Sequence, residues 1–123
     1  MADEKKCACD GNRLIFACSG AADVGEIADR AARELRSQGA GKMYCLAAIG
    51  GNVEQYLTAT KGADAVLAID GCPVACAKKV LDNAGITGYK YVQITSLGYE
   101  KGKSPANPEN IGAVVEAAKQ AIK

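Results

Sequence analysis

The residues of this chain with the greatest chemical potential are its six cysteines, which occur without a single histidine. Two of them lie in the polar N-terminal segment, as Cys7 and Cys9, and four lie among the apolar stretches: Cys18, Cys45, Cys72 and Cys76. Without histidine, one chain cannot form a nitrogen-ligand metal site or a cysteine–histidine nucleophile pair. A metal site made by this chain would use thiolate ligands, which suit zinc.

The stretch around Asp-Gly-Cys predicts a strand that turns into a helix. The run 65–69 is almost entirely apolar, as in a strand buried on both faces. Gly71 suits a sharp turn, and Pro73 suits the first position of a helix. Cys72 is then expected near the helix N-cap, with Cys76 one turn later on the same helical face. The positive end of the helix dipole favours the thiolate form of such cysteines.

Apolar and turn-forming stretches alternate along the rest of the chain. We predict strands at 13–18, 42–49, 65–69 and 89–95. We predict helices from Asp23 to Gly39, from Asn52 to Gly62, from Pro73 to Ala84, and from Asn107 towards the C-terminus. Asp23 and Glu26 have the spacing of a capping box, and Asn52 and Asn107 are expected to be N-caps.

This alternation is typical of an α/β protein in which a parallel sheet is covered by helices on both faces. Right-handed crossovers leave few topologies, and we favour the strand order 2-1-3-4. We therefore expect a single three-layer domain over 13–123 with a flexible segment at 1–12 and a flexible loop at 98–106. The carboxyl ends of the first and third strands flank the switch point where ligands of such sheets bind.

This topology places the four apolar-region thiols near one rim of the sheet. Cys18 and Cys72 follow the first and third strands, Cys45 lies on the second, and Cys76 lies in the helix after the third. The first hypothesis is a zinc site with these four thiolates as ligands. An iron–sulfur cluster is less favoured because no standard cluster-binding run is present. The plain alternative is that cysteine packs as a small hydrophobe, most readily at Cys45.

A second hypothesis makes Cys18 the nucleophile of an enzyme or redox protein. Cys18 leads from a strand into a helix N-terminus, where backbone N–H groups could hold an anion and lower the thiol pKa. This shape is similar to the phosphate loops of low-molecular-weight phosphatases. Those enzymes need an arginine six residues after the cysteine, and Val24 occupies that position here. Cys72 or Cys76 would act as the resolving thiol.

Two other polar groups near these thiols have ordinary explanations. Asp70 accepts a hydrogen bond from a backbone N–H at the turn, supports a metal ligand from outside, or caps the start of the helix. Lys78 and Lys79 follow Cys76 and could balance thiolate charge, although two lysines on a helix usually form a solvated face.

Composition restricts the classes of partner. The formal net charge is +1, and one Phe, five Tyr and no Trp offer little for base stacking, so we expect no nucleic-acid partner. No apolar run approaches a membrane span, and the first residues lead into no signal peptide. We therefore expect a cytoplasmic protein, in which clustered cysteines indicate metal binding or catalysis more often than disulfides.

Three short motifs together resemble those of one known family. They are Cys18-Ser19-Gly20 after an apolar strand, Cys45-Leu46-Ala47 on the next strand, and Asp70-Gly71-Cys72 with Cys76 beyond it. As a set they resemble the DGC-domain family, which is named for its Asp-Gly-Cys motif. The resemblance covers 13–85 and extends to the last strand and helix, but not to Cys7 and Cys9. It implies metal binding, with zinc as the favoured ion, through the four cysteines of these motifs, and it implies no established reaction.

Overall fold

The computed structural model describes residues 12–123. The predictions for the segment 1–12, including those for Cys7 and Cys9, concern residues outside this range except for Asn12. The backbone N–H of Asn12 donates to the Asp64 carboxylate at 2.7 Å, just before the first strand begins.

The sheet has four parallel strands in the order β2-β1-β3-β4, as the sequence predicted. The strands are β1 (Arg13–Ala17), β2 (Lys42–Met43), β3 (Ala65–Asp70) and β4 (Lys90–Gln93). The central pair, β1 and β3, is aligned over five residues, with Phe16 opposite Ala68. Apart from Arg13 and Asp70 at their ends, both strands are apolar, and both are almost fully buried because each is covered on two faces.

Helices cover both faces of this sheet, which confirms the predicted three-layer α/β domain. They are α1 (Asp23–Ser37), α2 (Leu46–Gly50), α3 (Glu54–Lys61), α4 (Cys76–Asn83) and α5 (Pro108–Ile122), and a 3-10 turn spans Ile94–Leu97. One hydrophobic cluster joins α1 and α5 to the side chains of Ile15 and Leu67. A second joins α2 and α4 to Leu14 and Phe16 on the opposite face. The alternating side chains of β1 therefore supply both halves of the core.

The predicted second strand at 42–49 is wrong beyond Met43. Ile15 is paired with Met43, so a longer strand would pass the end of β1 at Ala17 and lose its backbone partners. The chain instead turns into α2, for which Cys45 is the N-cap residue. Cys45 is therefore not on a strand but on a loop beside the end of β1.

The predicted start of the third helix at Pro73 is also wrong. Helix α4 begins at Cys76, and Ala75 before it has a left-handed backbone with φ 58°. The Ala75 N–H donates to the Cys72 carbonyl at 3.0 Å, so 72–75 is a tight turn. Cys72 is consequently four residues ahead of the helix and not near its N-cap.

Only one of the three predicted N-cap residues caps its helix. Asn107 caps α5 by accepting from the Asn110 N–H at 2.8 Å, as predicted. The N-cap residue of α1 is Ala22, so Asp23 and Glu26 form no capping box, and the N-cap residue of α3 is Val53 instead of Asn52.

The Asp23 carboxylate instead fastens the loop 98–106, which the sequence predicted to be flexible. It accepts from the backbone N–H groups of Gly102 at 2.9 Å and Ser104 at 3.0 Å. Arg30 adds a hydrogen bond to the Ala106 carbonyl at 3.3 Å. The loop is therefore held against the first turn of α1, beside the carboxyl ends of β1 and β3.

Candidate thiol site

Three of the four predicted cysteines line one cavity at the carboxyl ends of β1 and β3. Cys18 directly follows β1, and its N–H donates to the Ile69 carbonyl at 3.1 Å. Cys72 lies in the turn after β3, and Cys76 is the first residue of α4. Together with Asp70 and Lys101 they border a space of about 360 Å³. We call this space the thiol cavity.

Cys45 borders a different and larger cavity. That cavity has a volume of about 770 Å³, and its lining includes both Cys18 and Cys45. Cys18 thus lies between the two cavities, whereas Cys45 does not reach the one that Cys72 and Cys76 share. The structure brings three of the predicted ligands together and places the fourth on the far side of Cys18.

The thiols are neighbours without being a formed metal centre. Within residues 12–123, no three cysteine, aspartate or glutamate side chains are grouped closely enough to hold an ion. The donor set itself, with thiols from three segments of the chain at one cavity, has the chemistry that zinc prefers. Coordination would require these side chains to move closer together.

The environment of Cys18 favours the protonated thiol. Burial raises its pKa above the ordinary value of 9.0, and electrostatic interaction with Asp70 and Cys76 raises it further. Hydrogen bonds from the backbone N–H groups of Gly20 and Gly71 lower it, but they do not outweigh burial. A nucleophilic cysteine needs the opposite shift, so this structure does not supply the activation that the nucleophile hypothesis expects.

Asp70 holds the first turn of α4 in place. Its carboxylate is fully buried and accepts from the N–H groups of Ala77 at 2.8 Å and Lys78 at 3.0 Å. The Tyr91 hydroxyl donates a third hydrogen bond at 2.9 Å. Of the roles considered for Asp70, capping of the helix start is the one that the structure shows. Because Ala75 offers no side-chain cap, Asp70 satisfies the start of the helix and so fixes the position of Cys76.

The same carboxylate influences its hydroxyl partner. Burial raises the pKa of Tyr91, and the hydrogen bond to the Asp70 carboxylate raises it further. Tyr91 is therefore a hydrogen-bond donor at neutral pH and not a candidate base. The Lys78 ammonium lies 5.6 Å from the centre of the Tyr91 ring on the outer side.

Gly71 allows α1 to approach the turn after β3. A Cβ atom there would lie 2.8 Å from the Val24 carbonyl carbon and 2.9 Å from the Gly25 nitrogen. Gly25 meets a similar restriction, since its Cβ would lie 2.6 Å from the Gly20 carbonyl oxygen. These close backbone contacts leave room only for glycine, and the Gly71 N–H donates a hydrogen bond to the Cys18 thiol.

Lys101 is a part of the site that the sequence did not reveal. Its ammonium nitrogen lies 3.9 Å from the Cys72 sulfur, and Asp23 anchors the loop that carries it. No motif distinguishes Lys101 from Lys103 two residues later. Only the folded position of the loop places a positive charge at the thiol cavity.

The chain is thus a three-layer α/β domain with an Asp-Gly-Cys turn and a thiol cavity at the carboxyl ends of its two central strands. The family model of the DGC domain matches residues 14–118, so the chain belongs to the DGC domain family. The resemblance stated from the sequence is thereby confirmed.

One similar protein is the anaerobic and virulence modulator AnvM of Pseudomonas aeruginosa. It is 30% identical over 88 residues, which make up 72% of this chain and 67% of AnvM. No solved structure matches the chain significantly. Within residues 12–123, no helix combines the length and apolarity that crossing a membrane requires.

Proposed function

We propose that this DGC-domain protein binds a thiolate-preferring metal ion, zinc first, at the thiol cavity. Cys18, Cys72 and Cys76 would hold the ion, and Cys45 would be the fourth ligand. The observation that carries the proposal is the convergence of the first three on one cavity from three different segments. An ion bound there would displace the thiol protons and balance the negative charge of the thiolates.

The raised pKa of Cys18 counts against a free thiolate nucleophile, and a metal ion bound there must displace the thiol proton. A bound cation offsets the cost that burial and Asp70 place on the negative charge. The Lys101 ammonium near Cys72 adds a further positive charge at the same cavity. Metal binding is therefore expected to release protons and to strengthen as pH rises.

The fourth ligand requires movement. Cys45 precedes the short helix α2, is exposed, and borders the cavity on the other side of Cys18. Either this loop shifts towards Cys18, or a solvent molecule or partner completes the coordination. A site of three protein thiolates and one exchangeable position would suit the carriage or sensing of a metal.

The core does not depend on the ion. Both hydrophobic clusters are built from aliphatic and aromatic side chains, and Cys18 and Cys72 only pack at their margins. We expect chelation to change the thiol cavity and the loop 98–106 without unfolding the domain.

The relative's name offers a biological context. AnvM is named as a modulator, and we extend a regulatory role to this chain, with metal occupancy or thiol state as the input. Lys101 lies near the Cys72 thiol and belongs to an exposed loop, so a change in metal occupancy or thiol state would alter the contacts of that loop. Hydrogen exchange of the loop with and without zinc would test this role, and identical exchange would refute it.

Metal content and thiol protection together test the proposal. Protein purified without added metal is analysed for its elements, and each cysteine is alkylated with and without chelator. We expect about one zinc per chain, protection of Cys18, Cys72 and Cys76 that chelator removes, and loss of zinc in Cys72→Ser. The Cys7→Ser/Cys9→Ser double variant is the matched control, and it should keep the ion.

Other outcomes would overturn the proposal. No binding of added zinc, together with one fast-reacting thiol at Cys18, would favour the nucleophile hypothesis instead. Slow reaction of all thiols without any metal would leave packing as their role.

Loss of zinc in Cys45→Ser would establish Cys45 as the fourth ligand, and retention would remove it from the site.

A further inference from the structure

The larger cavity beside the thiol cavity has the composition of a small-molecule site. Its volume of about 770 Å³ lies within the range of ligand pockets. It lies between α1 and the loop that leads into α2, and Arg33, Arg36, Tyr44 and Cys45 are among its lining residues. We call it the arginine cavity.

Among residues 12–123, the charged groups that line the arginine cavity leave one positive charge unbalanced. Both oxygens of Asp29 are occupied, one by the Ser19 hydroxyl at 2.7 Å and the other by the Arg33 Nε at 2.8 Å. Arg33 and Asp29 therefore offset each other. Arg36 forms no ion pair with any of residues 12–123, so its guanidinium is available to an anion.

The apolar wall of the arginine cavity is built around Tyr44, whose ring packs against two other rings. Tyr44 packs against Phe16 with ring centres 6.0 Å apart and against Tyr56 at 5.0 Å. Met43 and Leu46 flank it, and the Cys45 thiol is exposed beside it. A ligand that fits both walls has an anionic end and a small organic body.

We propose that the arginine cavity binds a small organic carboxylate, with its anionic end at Arg36 and its body against Tyr44. A single net positive charge suits a monoanion. A dianion such as a phosphate monoester would exceed this charge by one, at the last turn of α1, where the helix dipole opposes anions. The inference goes beyond the metal proposal, since neither Arg36 nor Tyr44 is among its ligands.

Paired alkylating reagents test this inference at Cys45. Iodoacetate carries a carboxylate and iodoacetamide does not, although both deliver the same type of group to a thiol. The quantity measured is the ratio of their rates at Cys45 in the chelator-treated full chain, resolved by peptide mass spectrometry. In Arg36→Gln we expect this ratio to fall about three- to tenfold, as is usual when a steering charge is lost.

A matched variant on the same helix controls for general charge effects. Arg30 pairs with Glu26 and does not line the arginine cavity, so Arg30→Gln should leave the ratio unchanged. Arg36→Lys keeps the charge and should retain most of the wild-type ratio. Arg36 is exposed, and circular dichroism of each variant checks that the domain folds.

Competition identifies the class of ligand. Benzoate should slow the alkylation of Cys45 by iodoacetamide, while benzamide should not. Equal ratios in wild type and Arg36→Gln would overturn the inference. Stronger protection by inorganic phosphate than by benzoate would overturn the assignment to carboxylates. Zinc stoichiometry measured on the same proteins before chelator treatment is independent of either result, so failure here is distinguishable from failure of the metal proposal.

Discussion

Replacing Asp70 with asparagine tests whether this carboxylate positions the thiol cavity. The substitution keeps the size of the side chain but exchanges one acceptor oxygen for an N–H donor. Asp70 is fully buried and accepts from Ala77, Lys78 and Tyr91. An asparagine can serve only one of the two backbone N–H groups, and its own donor would face the other.

The expected loss of stability follows from these contacts. One charge-assisted hydrogen bond disappears and leaves a buried donor unpaired, at a cost of about 1.5–3 kcal/mol. The remaining bonds to Asp70 weaken because the acceptor loses its charge, while the neutral side chain costs less to bury. We expect a net destabilisation of about 2–4 kcal/mol, which for a domain of this size lowers the melting temperature by about 8–15 °C.

The assay combines thermal unfolding with amide exchange. In Asp70→Asn, the amides of Ala77 and Lys78 should exchange faster, and chelator-treated Cys76 should be alkylated at a changed rate as the first turn of α4 loosens. Amides of α5 that exchange by local opening should stay near wild type, since that helix packs on the opposite face of the sheet, whereas amides that exchange only through global unfolding should follow the loss of stability.

A pair of tyrosine variants supplies the control. Tyr91→Phe removes one hydrogen bond from Asp70 and should cost about 1 kcal/mol, and this cost should shrink in the Asp70→Asn background. The Tyr89 hydroxyl instead donates to the exposed Asp82, so Tyr89→Phe should change stability by less than about 0.5 kcal/mol. Asp70→Asn with wild-type stability and unchanged exchange at Ala77 would refute the positioning role.

Three further predictions address the surroundings of the site. Gly71→Ala should cost about 2–3 kcal/mol in a denaturant titration because its Cβ meets backbone, whereas Gly112→Ala, which meets no atom within 4 Å, should stabilise by about 0.5–1 kcal/mol. Hydrogen bonds from the loop 98–106 lower the pKa of Asp23 below 3.8. The stabilisation of the loop by ionised Asp23 therefore holds above pH 3.8 and is lost as the pH falls below that value. Amide exchange across that range should show the loop detaching, and unchanged exchange would contradict the prediction. Lys101→Met should slow alkylation of Cys72 about two- to fivefold because the ammonium charge beside the sulfur is lost. An unchanged rate would show that this charge does not influence the reactivity of Cys72.

The topology was predictable because its signals are local. The apolar runs of β1 and β3 indicate buried parallel strands, and Asn107 with Pro108 marks the start of α5. Chirality then leaves few strand orders, and the observed one is the favoured one.

The errors in the sequence prediction share a physical cause, which is dependence on distant partners. The run 45–49 is apolar enough for a strand or a buried helix, and the short length of β1 decides between them. Asp23 has the spacing of a capping residue, yet its carboxylate accepts hydrogen bonds from Gly102 and Ser104. These two loop residues are 79 and 81 positions further along the chain. The start of α4 is decided by Asp70, which lies outside the helix.

The candidate site was predictable in composition but not in arrangement. The convergence of Cys18, Cys72 and Cys76 follows from strand order alone, since β1 and β3 are neighbours. The separation of Cys45 follows from the early end of β2, which no local pattern shows. Lys101 reaches Cys72 only because a distant carboxylate holds its loop.

The three residues of the Asp-Gly-Cys motif have separate physical roles that converge on the thiols. Asp70 fixes the helix that begins with Cys76. Gly71 lets α1 approach closely, and the Gly71 N–H donates to the Cys18 thiol. Cys72 contributes sulfur directly, opposite Lys101. A change at Asp70 or Gly71 should therefore disturb thiols that it does not touch. The motif is thus better understood as the support of a thiol cavity than as a source of one cysteine.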